Sequence, residues 1–219
     1  MAHTVSGSNH LHSLNRHRLR LKADGRRNSR KTTGQVSHIF DVVIGFAALA
    51  YFLVIAAATK QHFTSEKYPF GMVLISTLSL VGISVFMAHA FLWTVGFPAI
   101  VFGMILAASA LFAWAIKHSQ DRRLSLAFDE DLKIDGIITT GPWRYVRHPF
   151  YTSYVLFWSA CALGTTHMAS VIVCVTLIFT YIYSAIKEEG VLHRSTHGPD
   201  YLNYKTRTGF FFPRYRLKP

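Results

Sequence analysis

Residues 136–151 read Gly-Ile-Ile-Thr-Thr-Gly-Pro-Trp-Arg-Tyr-Val-Arg-His-Pro-Phe-Tyr, and this stretch decides how the rest of the chain is interpreted. It combines aromatic side chains, two arginines, one histidine and two prolines, and it leads directly into a long apolar segment. A loop that only connects two helices does not require this combination of aromatic, basic and proline residues. The stretch therefore predicts a ligand-binding segment at a membrane surface.

The apolar segments around this stretch predict an all-α membrane protein. The chain has 219 residues, of which 51% are hydrophobic and 16% are charged. A helix needs about 20 apolar residues to cross a bilayer. Residues 38–59 meet that length, residues 70–116 have room for two spans with a break near residues 93–98, and residues 150–187 suit a hairpin that turns near residues 164–167. We therefore expect a polytopic transmembrane helical protein of about five spans.

The polar segments divide the chain into three regions. Residues 1–37 are polar and basic and lack the short apolar core of a signal peptide, so they are expected to form a disordered tail. Residues 38–116 hold the first spans. Residues 117–219 hold a polar loop, the hairpin 150–187 and a C-terminal tail. Because a hairpin returns the chain to the same membrane face, the loop and the tail are expected to meet and form one pocket.

The basic residues predict an orientation rather than a nucleic-acid partner. The net charge is +12, but the Lys and Arg residues lie beside the apolar segments, as in the positive-inside pattern. With five spans, 15 of them lie on the side of the C-terminal pocket and 8 lie in the amino tail on the other side. The larger group predicts an active site that faces the cytoplasm. The basic amino tail argues against this arrangement, so its side stays open.

No pattern in the sequence predicts a metal site or a disulfide. The four histidines of the amino tail are irregularly spaced, and the acidic run at residues 129–131 points its side chains in different directions. Cys161 and Cys174 lie within apolar segments without neighbouring ligands, and they are expected to be buried free thiols. We expect no metal.

Two groups of polar residues flank the hairpin in a specific order. Gly141-Pro-Trp-Arg-Tyr-Val-Arg-His-Pro-Phe-Tyr151 precedes it, and Glu188-Glu189 and Gly198-Pro-Asp-Tyr-Leu-Asn-Tyr204 with Arg207 follow it. Pro199 predicts a helix start, which aligns Tyr201, Tyr204 and Arg207 on one face. This pattern resembles the integral-membrane methyltransferases, the family of isoprenylcysteine carboxyl methyltransferase and the phospholipid N-methyltransferases. The first 116 residues add membrane spans but no motif of the family.

The resemblance implies methyl transfer from S-adenosylmethionine to a lipid or lipidated substrate in the membrane. The hairpin and the tail would form the cofactor pocket, and Glu189 would bind the amino group of the cofactor. The cofactor-binding residues that the resemblance implies are Gly136, Ile137, Ile138, Trp143, His148, Pro149, Phe150, Tyr151 and Glu189.

The methyl acceptor decides which catalytic residue is needed. A carboxylate arrives ionised and needs only a cation to orient it, for which Arg207 is the candidate. An amine headgroup must first lose a proton, and Glu188, His193 or His197 would then act as the base. Ser184 and Ala185 stand where isoprenylcysteine enzymes carry an arginine for the substrate carboxylate, which argues against a prenylcysteine substrate.

Two other functions remain alternatives. Sterol reductases, which use NADPH, carry a similar Arg-His-Pro-x-Tyr run, but Phe150 and the residues Thr152-Ser153-Tyr154 depart from their pattern. A non-catalytic membrane module that retains the cofactor pocket is the second alternative. Membrane lipids are expected partners in every case, and nucleic acid is not.

Overall fold

The structure is a computed structural model that describes residues 22, 34–59, 63–64, 70–119, 124–125 and 137–214. From residue 34 onward its helices are α1 (Gly34–Thr59), α2 (Phe70–Leu92), α3 (Pro98–Ser119), a 3-10 helix (Gly141–Arg144), α4 (Pro149–Thr165), α5 (Met168–Arg194) and α6 (Gly198–Arg207). Two short strands, β1 (Phe63–Thr64) and β2 (Leu124–Ser125), pair in parallel. The all-α prediction is confirmed.

The lengths of the helices suit a bilayer. Four helices of the described part, α1, α2, α3 and α5, are long and apolar enough to cross a membrane. Helix α4 has 17 residues, the lower limit of about 17 to 25 residues for a crossing helix. The predicted count of about five spans therefore fits the structure, with α4 as the shortest member.

Helix α5 shows which surfaces face lipid. Ile172, Phe179 and Ile186 recur every seven residues and are 59 to 67% exposed. The opposite face of the helix, with Leu177 and Ala185, is fully buried. Large apolar side chains exposed in a regular stripe are suited to acyl chains rather than to water. The protein is an integral membrane protein by this criterion and by the composition of its helices.

Two turns lie together at one end of the bundle. The break between α2 and α3 spans residues 93–97, and α4 and α5 are separated by Thr166 and His167, as the sequence predicted. The amide of Gly96 donates a hydrogen bond of 2.7 Å to the carbonyl of Gly164 and joins the two turns. Thr166 has a φ of 49°, a left-handed conformation that reverses the chain between the helices.

Helix α4 lies in the middle of the bundle and packs against α2, α3 and α5. Its side chains Phe157, Trp158, Ala160 and Cys161 are at most 3% exposed. Cys161 and Cys174 are both buried free thiols, as predicted. Because α4 is enclosed, its first turn has a fixed position relative to the ends of the surrounding helices.

The predicted regions are only partly described. The chain divides into two compact units, Met1–Phe40 and Asp41–Pro219. The first unit is described only at Lys22 and along the start of α1, so most of the predicted amino tail 1–37 lies outside the described residues. Gly136, a predicted cofactor-binding residue, also lies outside them. The division of the chain at residues 37 and 116 stays a prediction.

Candidate active site

The polar segments before α4 and after α6 pair at the end of the bundle opposite the two turns. Val146 and Gly209 form an isolated parallel β-bridge. The amide of Arg147 donates to the carbonyl of Gly209 at 2.8 Å, and the amide of Gly209 donates to the carbonyl of Tyr145 at 3.1 Å. The predicted meeting of the two segments is therefore present in the structure, and the two are joined through their backbones.

Glu189 connects the segment before α4 with α5 and α6. Its Oε1 accepts a hydrogen bond from Arg147 Nε at 2.6 Å and lies 3.2 Å from His148 Nε2, while its Oε2 accepts one from Lys205 Nζ at 2.6 Å. The side chains of Arg147 and Glu189 are 9% and 8% exposed. Arg147 also donates from Nη1 to the carbonyl of Thr208 at 2.6 Å. Both carboxylate oxygens of Glu189 are therefore engaged by cations of the protein itself.

Glu188 has different surroundings from its neighbour. The hydroxyl of Tyr151 donates a hydrogen bond to its Oε1, and His148 Nδ1 lies 3.7 Å from its Oε2. Its side chain is 25% exposed and lines a cavity that Glu189 does not reach. Glu188 is thus the carboxylate that a ligand in this cavity meets.

The cavity runs from the polar end of the bundle into its apolar interior. It holds about 960 Å³ of empty space, a volume that includes its open mouth and the solvent there. Its lining comes from α1, α2, the 3-10 helix, α4, α5 and the segment before α4. The lining residues are Phe52, Ile55, Thr59, Met72, Ile75, Ser79, Trp143, Arg147, His148, Pro149, Phe150, Tyr151, Tyr154, Trp158, Tyr181 and Glu188.

Aromatic rings form most of one wall of the cavity. The ring of Tyr151 stacks on His148 at 5.8 Å and on Tyr181 at 5.6 Å between centroids. Trp143 and Phe150 meet edge to face at 5.7 Å. Aromatic faces attract cations because of their quadrupole. Together with Glu188, these rings make the polar half of the cavity suited to a positively charged group.

The 3-10 helix that carries Trp143 is held in place from two sides. Gly141 has a φ of +59°, and a Cβ there would clash with the ring of His118 at the end of α3. On the other side, the hydroxyl of Tyr204 in α6 donates to the carbonyl of Trp143 at 2.7 Å. Burial raises the pKa of Tyr204 to about 12, so the hydroxyl remains a proton donor at neutral pH.

The structure brings together six of the predicted site residues at the cavity. Trp143, His148, Pro149, Phe150, Tyr151 and Glu188 line it. Ile137 and Ile138 are half-buried and do not line it, and Glu189 lies behind the wall. Arg207 is exposed on α6, away from the lining. His193 and His197, the alternative bases, do not line it either.

Several lining residues were not predicted. Tyr154 and Trp158 follow Phe150 on α4 at four-residue spacing, and Met72, Ile75 and Ser79 follow the same helical pattern on α2. Helical spacing marks these residues as one face of each helix. It does not say whether that face meets another helix or a cavity, so the sequence carried no signal for their role.

Metal ligation finds no support among the described side chains. They contain no group of three or more His, Cys, Asp or Glu residues arranged to hold a metal ion. The prediction that the protein uses no metal stays a prediction, because part of the chain lies outside the description.

Comparison with known proteins gives one family match. The sequence pattern of the family described as phospholipid methyltransferase matches residues 91–196. The match confirms the predicted resemblance to the integral-membrane methyltransferases and supports a membrane methyltransferase that acts on lipids. It includes α3, the 3-10 helix, α4, α5 and both glutamates, but it ends before α6. No curated protein and no solved structure matches the chain.

Proposed function

We propose that this chain, which matches the phospholipid methyltransferase family over residues 91–196, transfers a methyl group from S-adenosylmethionine to the amine headgroup of a membrane lipid. The observation that carries the proposal is Glu188, a carboxylate that is held at the polar end of an aromatic cavity leading into the apolar bundle. An amine headgroup attached to an apolar tail matches both ends of this cavity.

The residues around the polar end fit S-adenosylmethionine by their chemistry. The cofactor carries a sulfonium cation, an adenine ring and an amino acid end. Trp143, Phe150 and Tyr151 offer aromatic faces to the cation and the ring. His148 and Pro149 line the same end. Ile137 and Ile138, which are half-buried, and Gly136 remain proposed backbone contacts of the cofactor.

Glu189 has a different proposed role from the one that the resemblance implies. A carboxylate that already accepts from Arg147, His148 and Lys205 has little capacity left for an ammonium group. We assign it to positioning Arg147 and His148 at the edge of the cavity. Direct binding of the amino group of the cofactor by Glu189 would require Lys205, which is 46% exposed, to move away.

The bound cofactor supplies an electrophilic methyl group. A protonated amine has no lone pair, so Glu188 takes a proton from the headgroup nitrogen before the new bond forms. The methyl group of the bound cofactor would then pass to this nitrogen, with one N–C bond formed as one S–C bond is broken. The hydroxyl of Tyr151 orients the Glu188 carboxylate through its hydrogen bond. The surrounding rings exclude water and hold the two reactants in line.

An amine acceptor is favoured over a carboxylate acceptor by the position of Arg207. This residue, the candidate for orienting a carboxylate, is exposed on α6 and does not line the cavity. Arg147 does line it, but its guanidinium is already bound by Glu189 and by the carbonyl of Thr208. The partly exposed Glu188 would repel the negative charge of a carboxylate. The aromatic wall would leave that charge unpaired.

The substitution Glu188→Gln tests the proposal. Purified protein in nanodiscs receives labelled S-adenosylmethionine, and transfer of label to an amine-headed phospholipid is measured. We expect the rate to fall by about 100-fold or more in Glu188→Gln, because a neutral amide cannot accept the proton. Binding of the cofactor, measured by calorimetry, is expected to change much less. Arg207→Ala serves as the control and is expected to leave the rate unchanged.

The alternatives predict other results in the same assay. Selective loss of transfer to a carboxylate lipid in Arg207→Ala would replace the amine by a carboxylate acceptor. Saturable cofactor binding by the wild type without transfer to any lipid would indicate a non-catalytic module. Binding of NADPH in place of S-adenosylmethionine would indicate a reductase.

A further inference from the structure

Helices α1 and α2 are in close contact at the end of the bundle that holds the two turns. A Cβ at Gly45 of α1 would lie 3.2 Å from the Cβ of Ala90 and 3.8 Å from the sulfur of Met87 on α2. The rings of Phe46 and Phe91 meet edge to face at 5.7 Å between centroids. At this level the two helices therefore leave no room for a lipid between them.

At the end of the bundle that holds the site, the same two helices share the cavity. Ile55 and Thr59 of α1 line it, and so do Met72 and Ile75 of α2. Two helices that pack closely at one end and line a common cavity at the other diverge along their length. Helices α1 and α2 therefore diverge toward the site.

The exposure of the side chains shows this divergence along α1. One face of the helix carries residues at spacings of four, three and four, namely Gly45, Leu49, Phe52 and Ala56. Gly45 is buried against α2, the next two residues are half-buried, and Ala56 is exposed. The face of α1 that packs on α2 near the turns is thus uncovered near the site.

The facing stripe of α2 changes in the same way. Its residues alternate at spacings of three and four, namely Ala90, Met87, Ile83, Leu80 and Ser76. Ala90 is fully buried and Ile83 is 4% exposed. Toward the site, Leu80 is 57% exposed and Ser76 is exposed as well. Both helices therefore lose their mutual contact over the same part of the bundle.

We refer to the gap between Ala56 of α1 and Ser76 of α2 as the lateral slot. The two residues lie at one level of these antiparallel helices, because Ala56 follows Gly45 by eleven residues and Ser76 precedes Met87 by the same number. Both residues are small and exposed. Ile55, the neighbour of Ala56, lines the cavity. The lateral slot thus joins the cavity to the bilayer.

The walls of the lateral slot suit acyl chains. Leu53 and Val73 lie three residues before Ala56 and Ser76 on the same helix faces, and they are 56% and 52% exposed. Large exposed apolar side chains on spanning helices match the hydrocarbon region of a bilayer. A molecule that approaches through the slot therefore passes apolar walls first and small residues next, before it reaches the cavity.

The level of Glu188 in the bilayer matches that of a lipid headgroup. Met168 and Glu188 are twenty residues apart on α5, which corresponds to about 30 Å along a helix, the thickness of the hydrocarbon core. Because Met168 begins α5 at the end that holds the turns, Glu188 lies near the boundary between acyl chains and headgroups on the other side. A lipid of that leaflet can bring its headgroup to Glu188 by moving sideways.

From this arrangement we infer that the lateral slot is the entrance through which the acceptor lipid reaches Glu188 from the bilayer. The inference rests on the proposed function in taking the acceptor to be an amine-headed membrane lipid. Only the headgroup enters the cavity, where the carboxylate of Glu188 complements the charge of the amine. The acyl chains stay in the bilayer outside α1 and α2. The polar mouth of the cavity is left to the cofactor, so the two reactants use separate entrances.

The test uses an ethanolamine phospholipid that carries a photoreactive diazirine near the start of one acyl chain. Protein in nanodiscs of increasing probe content is illuminated without cofactor, and the labelled peptides are identified by mass spectrometry. We expect labelling of residues 52–59 and 72–80 to saturate and to be displaced by unlabelled ethanolamine phospholipid. The lipid-facing stripe of α5, at Ile172, Phe179 and Ile186, is expected to be labelled in proportion to the probe content. A glycerol-headed phospholipid with the same diazirine is expected to label both regions in proportion to its content.

Ala56→Trp and Ala57→Trp are a matched pair of variants. Both alanines are exposed on the same turn of α1, but Ala57 points about 100° further round the helix, away from the lateral slot. A tryptophan at residue 56 fills the slot and is expected to lower the saturable labelling of residues 72–80 by about tenfold or more. Ala57→Trp is expected to keep the wild-type labelling. If Ala56→Trp fails to fold, as judged by its thermal unfolding, Ser76→Trp replaces it, and residues 52–59 are then measured.

Labelling of the slot that does not saturate would overturn the inference. Equal labelling in Ala56→Trp and Ala57→Trp would overturn it as well, and so would equal saturation by the glycerol-headed lipid. Saturable labelling that behaves as expected in a protein without methyl transfer would sustain the entrance and contradict the proposed reaction. Transfer to the lipid at the wild-type rate in Ala56→Trp would keep the reaction and exclude the slot as its entrance, so the two failures are distinguishable.

Discussion

Glu188 and Glu189 are adjacent in the chain, yet their carboxylates lie in different surroundings. Adjacent residues of a helix point about 100° apart. In α5 this rotation places Glu188 at the cavity beside Tyr151, and it places Glu189 between Arg147 and Lys205. The sequence predicted that this pair belongs to the site. It assigned Glu189 to the amino group of the cofactor and Glu188 to the role of a base, whereas only Glu188 lines the cavity. The sequence does not show the rotation of α5 about its axis, because packing against α4 sets it.

The difference between the partners of Glu189 leads to a prediction about stability. Glu189→Gln removes the counter-charge of Arg147, whose side chain is 9% exposed, and is expected to lower the free energy of unfolding by about 3 kcal/mol. Lys205→Met removes a partner that is 46% exposed, and the expected loss is below about 1 kcal/mol. Chemical unfolding in detergent micelles measures both. Equal losses in the two variants would contradict the assignment of Arg147 as the main partner.

The 3-10 helix Gly141–Arg144 depends on the close approach of its first residue, Gly141, to His118 of α3. It packs on the last turn of α3, where Gly141 lies against the ring of His118, and it presents Trp143 to the cavity. The apolar runs predicted α2 to α5 and the two turns between them. They did not predict this 3-10 helix, because its left-handed Gly141 and its contact with α3 join residues separated by a polar loop. The contribution of α1 and α2 to the cavity was also missed, since neither helix carries a motif.

A methyl group at Gly141 is expected to displace this element. In Gly141→Ala the left-handed φ of +59° costs about 1–2 kcal/mol, and the contact of the new Cβ with His118 adds to the loss. Gly103→Ala in α3 is the matched control, because nothing lies within 4 Å of its Cβ and alanine favours a helix by up to about 1 kcal/mol. Thermal unfolding in detergent is expected to show a lower midpoint only for Gly141→Ala. A midpoint at or above the wild-type value in that variant would refute the close approach to His118.

At the scale of the whole molecule, the ends of the bundle have different compositions. One end holds the turns at residues 93–97 and 166–167, and the other holds the charged residues of the site. The sequence predicted this division, because the polar loop and tail flank a hairpin. For the orientation of the bundle in the membrane, the sequence offers only the count of basic residues, 15 on the side of the site and 8 in the amino tail. The larger group predicts a cytoplasmic site, and the basic amino tail argues against it.

Labelling from the two sides of the membrane tests this organisation. Thr94→Cys lies in the turn after α2, and Thr206→Cys lies in α6; both side chains are exposed, while the native Cys161 and Cys174 are buried. We expect a membrane-impermeant maleimide to reach Thr206→Cys only from the cytoplasmic face and Thr94→Cys only from the opposite face. Labelling of both from one face would show that α3, α4 and α5 do not all span the bilayer. The reverse pattern would keep the fold and invert the orientation.

The pairing of Val146 with Gly209 has a consequence for how the protein is made. The ribosome produces α1 to α5 before residues 208–211, so the backbone partners of residues 145–147 are made after these helices. Until residues 208–211 are made, Arg147 lacks the carbonyl of Thr208, and Tyr145 and Arg147 lack their backbone partner Gly209. The site can therefore be completed only after the last described helix, α6, has been made.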